Sequence, residues 1–183
     1  MAAEGLSVRI LALSGSLRAD SLNTQLLREA ARLMPSMTLA FWERLDDLPH
    51  FSPERDAEPL PAPVAELRAA IGAADALLIC TPEYIHAMPA VLKNLLEWVV
   101  SSGDCVGKAA GAWSVSPSME GGARAHASLV HTLEVMSVKV VPEASLSLSL
   151  ARSGLDEQGH LKDPARVAAL RGALAALAAA VAP

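Results

Sequence analysis

Several features that define common protein classes are scarce in this sequence. Only two of its 183 residues are cysteine, Cys80 and Cys105, and they form no Cys-x-x-Cys pair. Neither a disulfide framework nor a thiolate metal site is therefore indicated. Cys80 ends an apolar run, which is typical of a small buried residue in a reducing compartment. We therefore expect a cytoplasmic protein. It needs no cross-links, because a domain of this size buries enough surface to be stable.

Positive charge is also scarce. Fifteen Lys and Arg residues against twenty Asp and Glu give a net charge of −5, with a pI near 5.5. This balance provides no electrostatic basis for binding nucleic acid or an anionic membrane. The longest apolar stretch, residues 172–182, is too short and too rich in alanine to predict a transmembrane helix. The expected partners are small molecules or other proteins.

Motifs of several enzyme classes are missing as well. The five histidines include no His-Glu-x-x-His pattern, and no Gly-x-Ser-x-Gly sequence is present. Zinc peptidase and serine hydrolase chemistry are thus not indicated, and we expect no metal site. Aromatic residues make up 3% of the chain, with Tyr84 as the single tyrosine. A site that stacks against a flat ring would have few side chains to use.

Strand and helix patterns alternate along the chain. Apolar runs predict parallel strands at residues 8–13, 38–42, 76–80, 109–115 and 138–141. Helical patterns cover residues 22–34, 64–73, 90–100, 123–136 and 164–181. Five strands joined by crossover helices indicate one domain over residues 1–183. We predict a three-layer α/β fold with a five-stranded parallel sheet in the flavodoxin-like order 2-1-3-4-5.

Two regions do not fit the alternation. Residues 43–62 show no sustained periodicity and predict a long loop. Residues 145–150 alternate strictly between serine and leucine, which is typical of a half-exposed strand or extended edge. In a sheet of the predicted kind, ligands bind beyond the carboxyl ends of the strands. The loops at residues 14–23, 81–89 and 114–124 are therefore the candidates for a binding site.

The first of these loops has the composition of a phosphate site. A glycine turn at Gly15 is followed by hydroxyl groups, Arg18 and a predicted helix start. Free backbone N–H groups and one guanidinium can bind a phosphate together. A single glycine without a following Gly-Lys-Ser/Thr excludes a Walker A loop and a Gly-x-Gly-x-x-Gly turn. The alternative is a capped helix start, with Ser21 as the N-cap and Arg18 solvated.

The second loop could face a flat heterocycle. Pro82 restricts the backbone, and Tyr84 can place an aromatic face beside the edge of the sheet. Successive backbone N–H groups from Glu83 onward could contact the ring. The alternative is a rigid connector between strand and helix, in which Tyr84 is a half-buried packing residue.

Three motifs in this order resemble signatures of the NAD(P)H-dependent FMN reductase family, which includes azoreductase-like, quinone-reductase-like and chromate-reductase-like flavoproteins. The motifs are Gly15-Ser16-Leu17-Arg18 with Ser21 and Asn23, Thr81-Pro82-Glu83-Tyr84 with Pro89 and Leu92-Lys93-Asn94-x-x-Glu97-Trp98, and Gly121-Gly122-x-Arg124-Ala125. The similarity covers nearly the whole chain.

This resemblance implies a flavodoxin-like fold that binds FMN non-covalently. By position, Ser16, Arg18, Ser21 and Asn23 would hold the FMN phosphate. The isoalloxazine ring would be lined by Pro82, Glu83, Tyr84 and Ile85, with Ser116, Gly121 and Gly122 on its other side. Hydride would pass from NAD(P)H to flavin N5 and then to a quinone, azo compound, flavin or metal ion. No side chain need act as an acid or base, although His86 is a candidate.

Two positions depart from the family pattern. Ile85 stands where the family most often has asparagine, and Ala90 where it usually has glycine. Ile85 offers no side-chain hydrogen bond, and Ala90 adds a methyl group where close backbone approach is common. The resemblance also implies a homodimer or homotetramer, with Trp98 and the apolar residues around Phe51 and Leu60 near the subunit contact. Alternatively, Lys93 and Glu97 simply pair on a helix surface.

Two other functional classes remain open at this point. One is a flavodoxin-like electron carrier without NAD(P)H turnover, although such carriers usually have an uncharged threonine-rich phosphate loop instead of one with Arg18. The other is a flavin-free interaction protein with the same fold, which Ile85 and Ala90 make conceivable. The colour of the purified protein and its NADPH consumption with a quinone would separate these classes.

Overall fold

A parallel β-sheet with the strand order β2-β1-β3-β4-β5 forms the centre of the computed structural model, which describes residues 8–181. Its strands are β1 (Arg9–Ser14), β2 (Thr38–Trp42), β3 (Ala76–Thr81), β4 (Ala109–Ser116), β5 (Lys139–Val140) and β6 (Leu146–Ser149). The helices are α1 (Leu22–Leu33), α2 (Ala62–Ala73), α3 (Ala90–Val100), α4 (Ala123–Val135) and α5 (Pro164–Val181). The predicted fold and strand order are confirmed, and the helix ends agree to within two residues.

The edge of the sheet beside β4 holds two short strands, so the sheet has six strands where five were predicted. β5 pairs with the start of β4, and β6 pairs with its end, both in parallel. A short 3₁₀ turn, Pro142–Ala144, separates them, because Pro142 has no N–H to donate to a ladder. The Trp113 indole of β4 donates to the Ala144 carbonyl oxygen at 2.8 Å, so this turn also stays bound to β4. The alternating segment is thus confirmed as strand β6.

Two hydrophobic layers cover the faces of the sheet. Helices α1 and α5 pack on one face, and α2, α3 and α4 pack on the other. All six residues of β3 are buried, as expected for a central parallel strand. Helix α5 has the length and composition of a membrane span, with 22% of it buried. Its Leu170, Leu174 and Leu177 are fully buried in the layer that also contains α1.

The long loop between β2 and α2 lies against α3. The Pro49 carbonyl oxygen accepts hydrogen bonds from the Trp98 indole at 2.7 Å and from the Asn94 side chain at 3.0 Å. Phe51 contacts Trp98 edge-on, with ring centroids 5.1 Å apart. Trp98 is fully buried, so it offers no surface to a second subunit.

Candidate functional site

The three candidate loops meet at the carboxyl ends of β1, β3 and β4. They enclose a cleft of about 340 Å³. The predicted residues that line it are Ser16, Arg18, Ser21, Asn23, Pro82, Glu83, Tyr84 and Ser116. Ile85, Gly121 and Gly122 are not part of this lining. The sheet topology therefore brings together residues that are up to 100 positions apart in the sequence.

The first loop leaves the sheet by a tight turn. The backbone N–H of Gly15 donates to the Cys80 carbonyl oxygen at 2.8 Å. A Cβ at Gly15 would lie 2.8 Å from Cδ2 of Leu92 in α3, so a side chain here would meet that helix. Ser21 then caps α1, since its hydroxyl accepts from the backbone N–H of Asn23 at 3.2 Å and of Thr24 at 3.5 Å. The N-cap role of Ser21, which belonged to the alternative interpretation of this loop, is thus observed, and its binding of a phosphate stays a prediction.

The electrostatics of this loop suit an anion. Within residues 8–181, no hydrogen bond or ion pair engages the Arg18 guanidinium. Helix α1 carries no acidic residue in its first turn, so the carboxylate closest in sequence to its positive N-terminal end is that of Asp20, which precedes the N-cap. An unpaired cation and a helix N-terminus at the same cleft favour a phosphate group.

Arg152 is a second cation at the cleft, and sequence reasoning missed it. Its guanidinium donates to the Asp20 carbonyl oxygen at 2.6 Å and lies 3.8 Å from the Asp20 carboxylate. Asp20 would oppose a bound phosphate, but its carboxylate is 79% exposed and is offset by Arg152. The signal was the alternating segment that forms β6, because Arg152 follows it at the same end of the sheet.

The second loop forms a two-residue hairpin turn at the mouth of the cleft. Tyr84 and Ala87 exchange backbone hydrogen bonds of 3.0 and 3.1 Å. Ile85 and His86, between them, have φ angles of 51° and 59°. Asparagine tolerates this left-handed conformation, whereas a β-branched residue there is strained by about 1–2 kcal/mol. Ile85 is also 97% exposed, so the monomer gains no packing from it.

The side chains of this turn point in different directions. Tyr84 is 47% exposed and lines the cleft. The His86 side chain is 67% exposed, with Nδ1 3.4 Å from a Glu83 carboxylate oxygen. Ala90 is an exposed residue at the start of α3. Its methyl group therefore blocks no buried space.

Glu83 joins the second and third loops. One of its carboxylate oxygens accepts from the backbone N–H groups of Arg124 and Ala125, each at 3.0 Å. These are N-terminal residues of α4, so the carboxylate caps that helix. The hydrogen bond from Ala125, followed by the effects of His86 and Arg124, lowers the pKa of Glu83. Glu83 thus lines the cleft, and its carboxylate holds the second loop against the N-terminus of α4.

The variant Glu83→Gln tests this connection through pH. Because the fold lowers the pKa of Glu83, its stabilisation is present above the unfolded value near 4.5 and is lost as the pH falls through the folded pKa. We expect the variant to lose about 1 kcal/mol of unfolding free energy at neutral pH. The difference from the parent protein should shrink below about pH 4. Urea unfolding across this pH range measures both effects.

Glu97→Gln is the matched control, since Glu97 pairs on the surface with Lys93 at 2.7 Å. Exposed pairs of this kind contribute little. A Glu83→Gln variant whose stability and pH profile matched those of Glu97→Gln would contradict the capping role.

The third loop takes its path from its two glycines. Gly121 has a φ of 61°, and a Cβ there would lie 2.7 Å from the Leu148 carbonyl carbon. Gly122 is the N-cap of α4, with a φ of 84°. The Ser114 hydroxyl donates to the Gly121 carbonyl oxygen at 3.0 Å. Gly121 lies against β6 and Gly122 against Ser114 of β4. Ser116 is the predicted residue of this loop that lines the cleft.

None of the five histidines lines the cleft. His126 places Nε2 3.0 Å from the Ala112 carbonyl oxygen, and burial lowers its pKa. Within residues 8–181, no group of three His, Cys, Asp or Glu side chains could hold a metal ion.

Comparisons with known proteins agree with this geometry. Residues 8–153 match the family described as NADPH-dependent FMN reductase. An NAD(P)H-dependent FMN reductase of Pseudomonas aeruginosa is 34% identical over 158 residues, 85% of each chain. A quinone reductase of Escherichia coli is 29% identical over 174 residues, 92% of this chain and 93% of that protein.

A solved structure shows the same similarity in three dimensions. The flavoenzyme NAD(P)H:(acceptor) oxidoreductase FerB of Paracoccus denitrificans superposes with a TM-score of 0.88 at 26% identity, over 95% of this chain and 97% of that chain. The match confirms the predicted resemblance, and with it an oxidoreductase whose cofactors are FMN and NAD(P)H. The chain belongs to the NADPH-dependent FMN reductase family.

Proposed function

We propose that this protein is an NAD(P)H-dependent oxidoreductase that holds FMN in the cleft of Arg18 and Tyr84 and reduces quinone-type acceptors. The observation that carries the proposal is the Arg18 guanidinium, which has no partner within residues 8–181, beside the N-terminus of α1 in a cleft that Tyr84 also lines. The relatives named quinone reductases support the acceptor class. The donor set fits a phosphate at one end and a flat ring at the other.

Each part of the cleft would then have one task. Ser16, Arg18 and Asn23 would donate hydrogen bonds to the phosphate, and Ser21 caps the first turn of α1 beside it. Arg152 offsets the negative charge of Asp20. Pro82, Tyr84 and Ser116 line the cleft and would contact the ring. Ile85, Gly121 and Gly122 shape the loops around the ring through their backbone conformation.

The protein needs no catalytic acid or base for this reaction. Bound in this cleft, FMN would supply the hydride chemistry that links NAD(P)H to an acceptor. The residues of the cleft orient the two substrates and exclude water from the ring. His86 is largely exposed and lies beside Glu83, so we assign it no proton transfer.

An anaerobic titration tests the proposal. FMN is added to the purified protein, followed by NADPH or NADH, and the absorbance of the bound flavin is recorded. We expect the flavin to bleach within the turnover time and to recover when benzoquinone is added. Azo compounds, free flavin and oxidised metal ions, assayed alongside, define the acceptor range. Failure to bind FMN would support an interaction protein, and binding without NAD(P)H oxidation would support an electron carrier.

We also propose that the protein acts in the cytoplasm as a homodimer built on the α3/α4 face. Two free, buried cysteines fit a reducing compartment. Val100 and Val135 are 56% and 72% exposed and lie at a groove of about 290 Å³ between α3 and α4. Phe51 and Leu60, in contrast, pack on the protein's own core. A second copy would cover the exposed valines.

The variant Val135→Asp tests the dimer. A carboxylate in a buried apolar contact is costly, because its charge loses hydration without gaining a partner. We expect the mass measured by light scattering to fall from two chains to one. Val106→Asp is the control, because Val106 is similarly exposed at 60% but lies outside the groove. A single-chain mass for the unmodified protein would refute the dimer.

A further inference from the structure

The buried thiol of Cys80 contacts the end of the first loop. The Sγ of Cys80 lies 3.2 Å from the side-chain oxygen of Asn23. Cys80 is fully buried at the carboxyl end of β3, and Asn23 is 4% exposed in the first turn of α1. The two residues are 57 positions apart in the sequence, so only the tertiary structure brings them together.

The chemistry of this pair sets the direction of the amide. Burial raises the pKa of the Cys80 thiol far above its ordinary value, so the thiol keeps its proton. A protonated thiol is a weak donor, and the amide oxygen of Asn23 is the acceptor that it meets. With its oxygen bound to Cys80, the amide directs its NH₂ group away from Cys80. Asn23 lines the cleft, where an NH₂ group can donate to a phosphate oxygen.

We infer that Cys80 is a positioning residue that holds the Asn23 amide with its donor group towards the phosphate end of the cleft. This inference rests on the proposed function, since it takes the FMN phosphate as the acceptor. Cys80 touches the first loop a second time, because its carbonyl oxygen accepts from the Gly15 N–H at 2.8 Å. A side-chain substitution leaves that backbone contact in place, so it tests the thiol alone.

Three variants isolate the donor. Cys80→Ser keeps a donor of similar size, whereas Cys80→Ala and Cys80→Val remove it. Flavin fluorescence titration gives the dissociation constants of FMN and of riboflavin, which lacks the phosphate. We expect the Ala and Val variants to weaken FMN binding about three- to tenfold and the Ser variant to stay within about twofold of the parent protein. Riboflavin binding should not change.

A double-mutant cycle shows whether Cys80 acts through Asn23. In an Asn23→Ala background, Cys80→Ala should have no further effect on FMN binding, because the amide that it orients is gone. Unfolding in urea checks that each variant is folded at the titration temperature. FMN binding that is unchanged in both Cys80→Ala and Cys80→Val, or an equal loss with and without Asn23, overturns the inference.

A measurement without ligand separates this inference from the proposed function. In the NMR spectrum of the free protein, the Asn23 side-chain NH₂ should show fixed NOE contacts that place it away from the Cys80 side chain, retained in Cys80→Ser and changed in Cys80→Val. If the parent protein binds no FMN, the proposed function fails and the inference fails as a cofactor contact, while this spectrum still reports the orientation. An NH₂ group with the same NOE contacts in the parent protein and in Cys80→Val overturns the positioning role directly.

Discussion

Replacing Arg18 with alanine should weaken FMN binding by about 10- to 100-fold, which corresponds to the loss of charge-assisted hydrogen bonds to one phosphate. The guanidinium has no protein partner within residues 8–181, so its removal leaves no buried charge unpaired. The substitution should therefore change the unfolding free energy by less than about 0.5 kcal/mol. Fluorescence titration of the variant with FMN and with riboflavin measures the effect, which should be confined to the phosphorylated ligand.

Arg28→Ala is the control for the charge of Arg18. Arg28 lies on α1 and carries the same charge, but it pairs with Glu43 at 3.1 Å and does not line the cleft. A general change in electrostatic potential would affect both variants similarly, since long-range attraction depends on net charge. Equal losses in the two variants, or an Arg18→Ala variant that binds FMN normally, would exclude Arg18 as the phosphate ligand.

Replacing Gly121 with alanine should cost about 3–4 kcal/mol of unfolding free energy, because two effects combine. The φ angle of 61° is unfavourable for any residue with a Cβ. The new Cβ would also lie 2.7 Å from the Leu148 carbonyl carbon and 2.8 Å from the Ser149 nitrogen. These are backbone atoms of β6, which cannot move aside as a flexible side chain can. The melting temperature should fall by roughly 10 °C.

Gly103→Ala separates the two effects. Gly103 has a similar φ of 72°, but nothing lies within 4 Å of the position that its Cβ would take. This variant should therefore show only the conformational cost, about 1 kcal/mol. The difference between the two variants in urea unfolding measures the contact between the third loop and β6. Equal losses would show that the loop does not depend on this contact.

The sequence predicted best those elements whose structure depends on interactions between neighbouring residues. The buried strands β1, β3 and β4 were predicted correctly because continuous apolar runs are needed wherever both faces of a sheet are covered. The fifth strand was predicted at residues 138–141, and residues 145–150 were predicted as a half-exposed strand or extended edge with no place in the sheet. In the structure both segments pair with β4, as β5 and β6, on either side of Pro142. At an edge, one short strand can replace another without disturbing the core, so the pattern is less constrained.

The candidate site shows the same limit. Strand order places three loops at one end of the sheet, and this alone predicts where Arg18, Tyr84 and Ser116 meet. The capping of α4 by Glu83 spans 41 residues and more, and the contact of Arg152 with Asp20 spans 132. No periodicity or local motif reports contacts over such separations. The roles of individual side chains therefore depended on the packing of the loops.

The sequence by itself determined the order of strands and helices, the family and the loops that form the cleft, because apolar periodicity and short motifs are properties of neighbouring residues. Only the tertiary structure decided that Glu83 caps α4, that Arg152 offsets Asp20, and that the Cys80 thiol meets the Asn23 amide. The physical reason is that the direction of a side chain is set by hydrogen bonds and packing with residues distant in the chain, which form only when the layers of the fold come together.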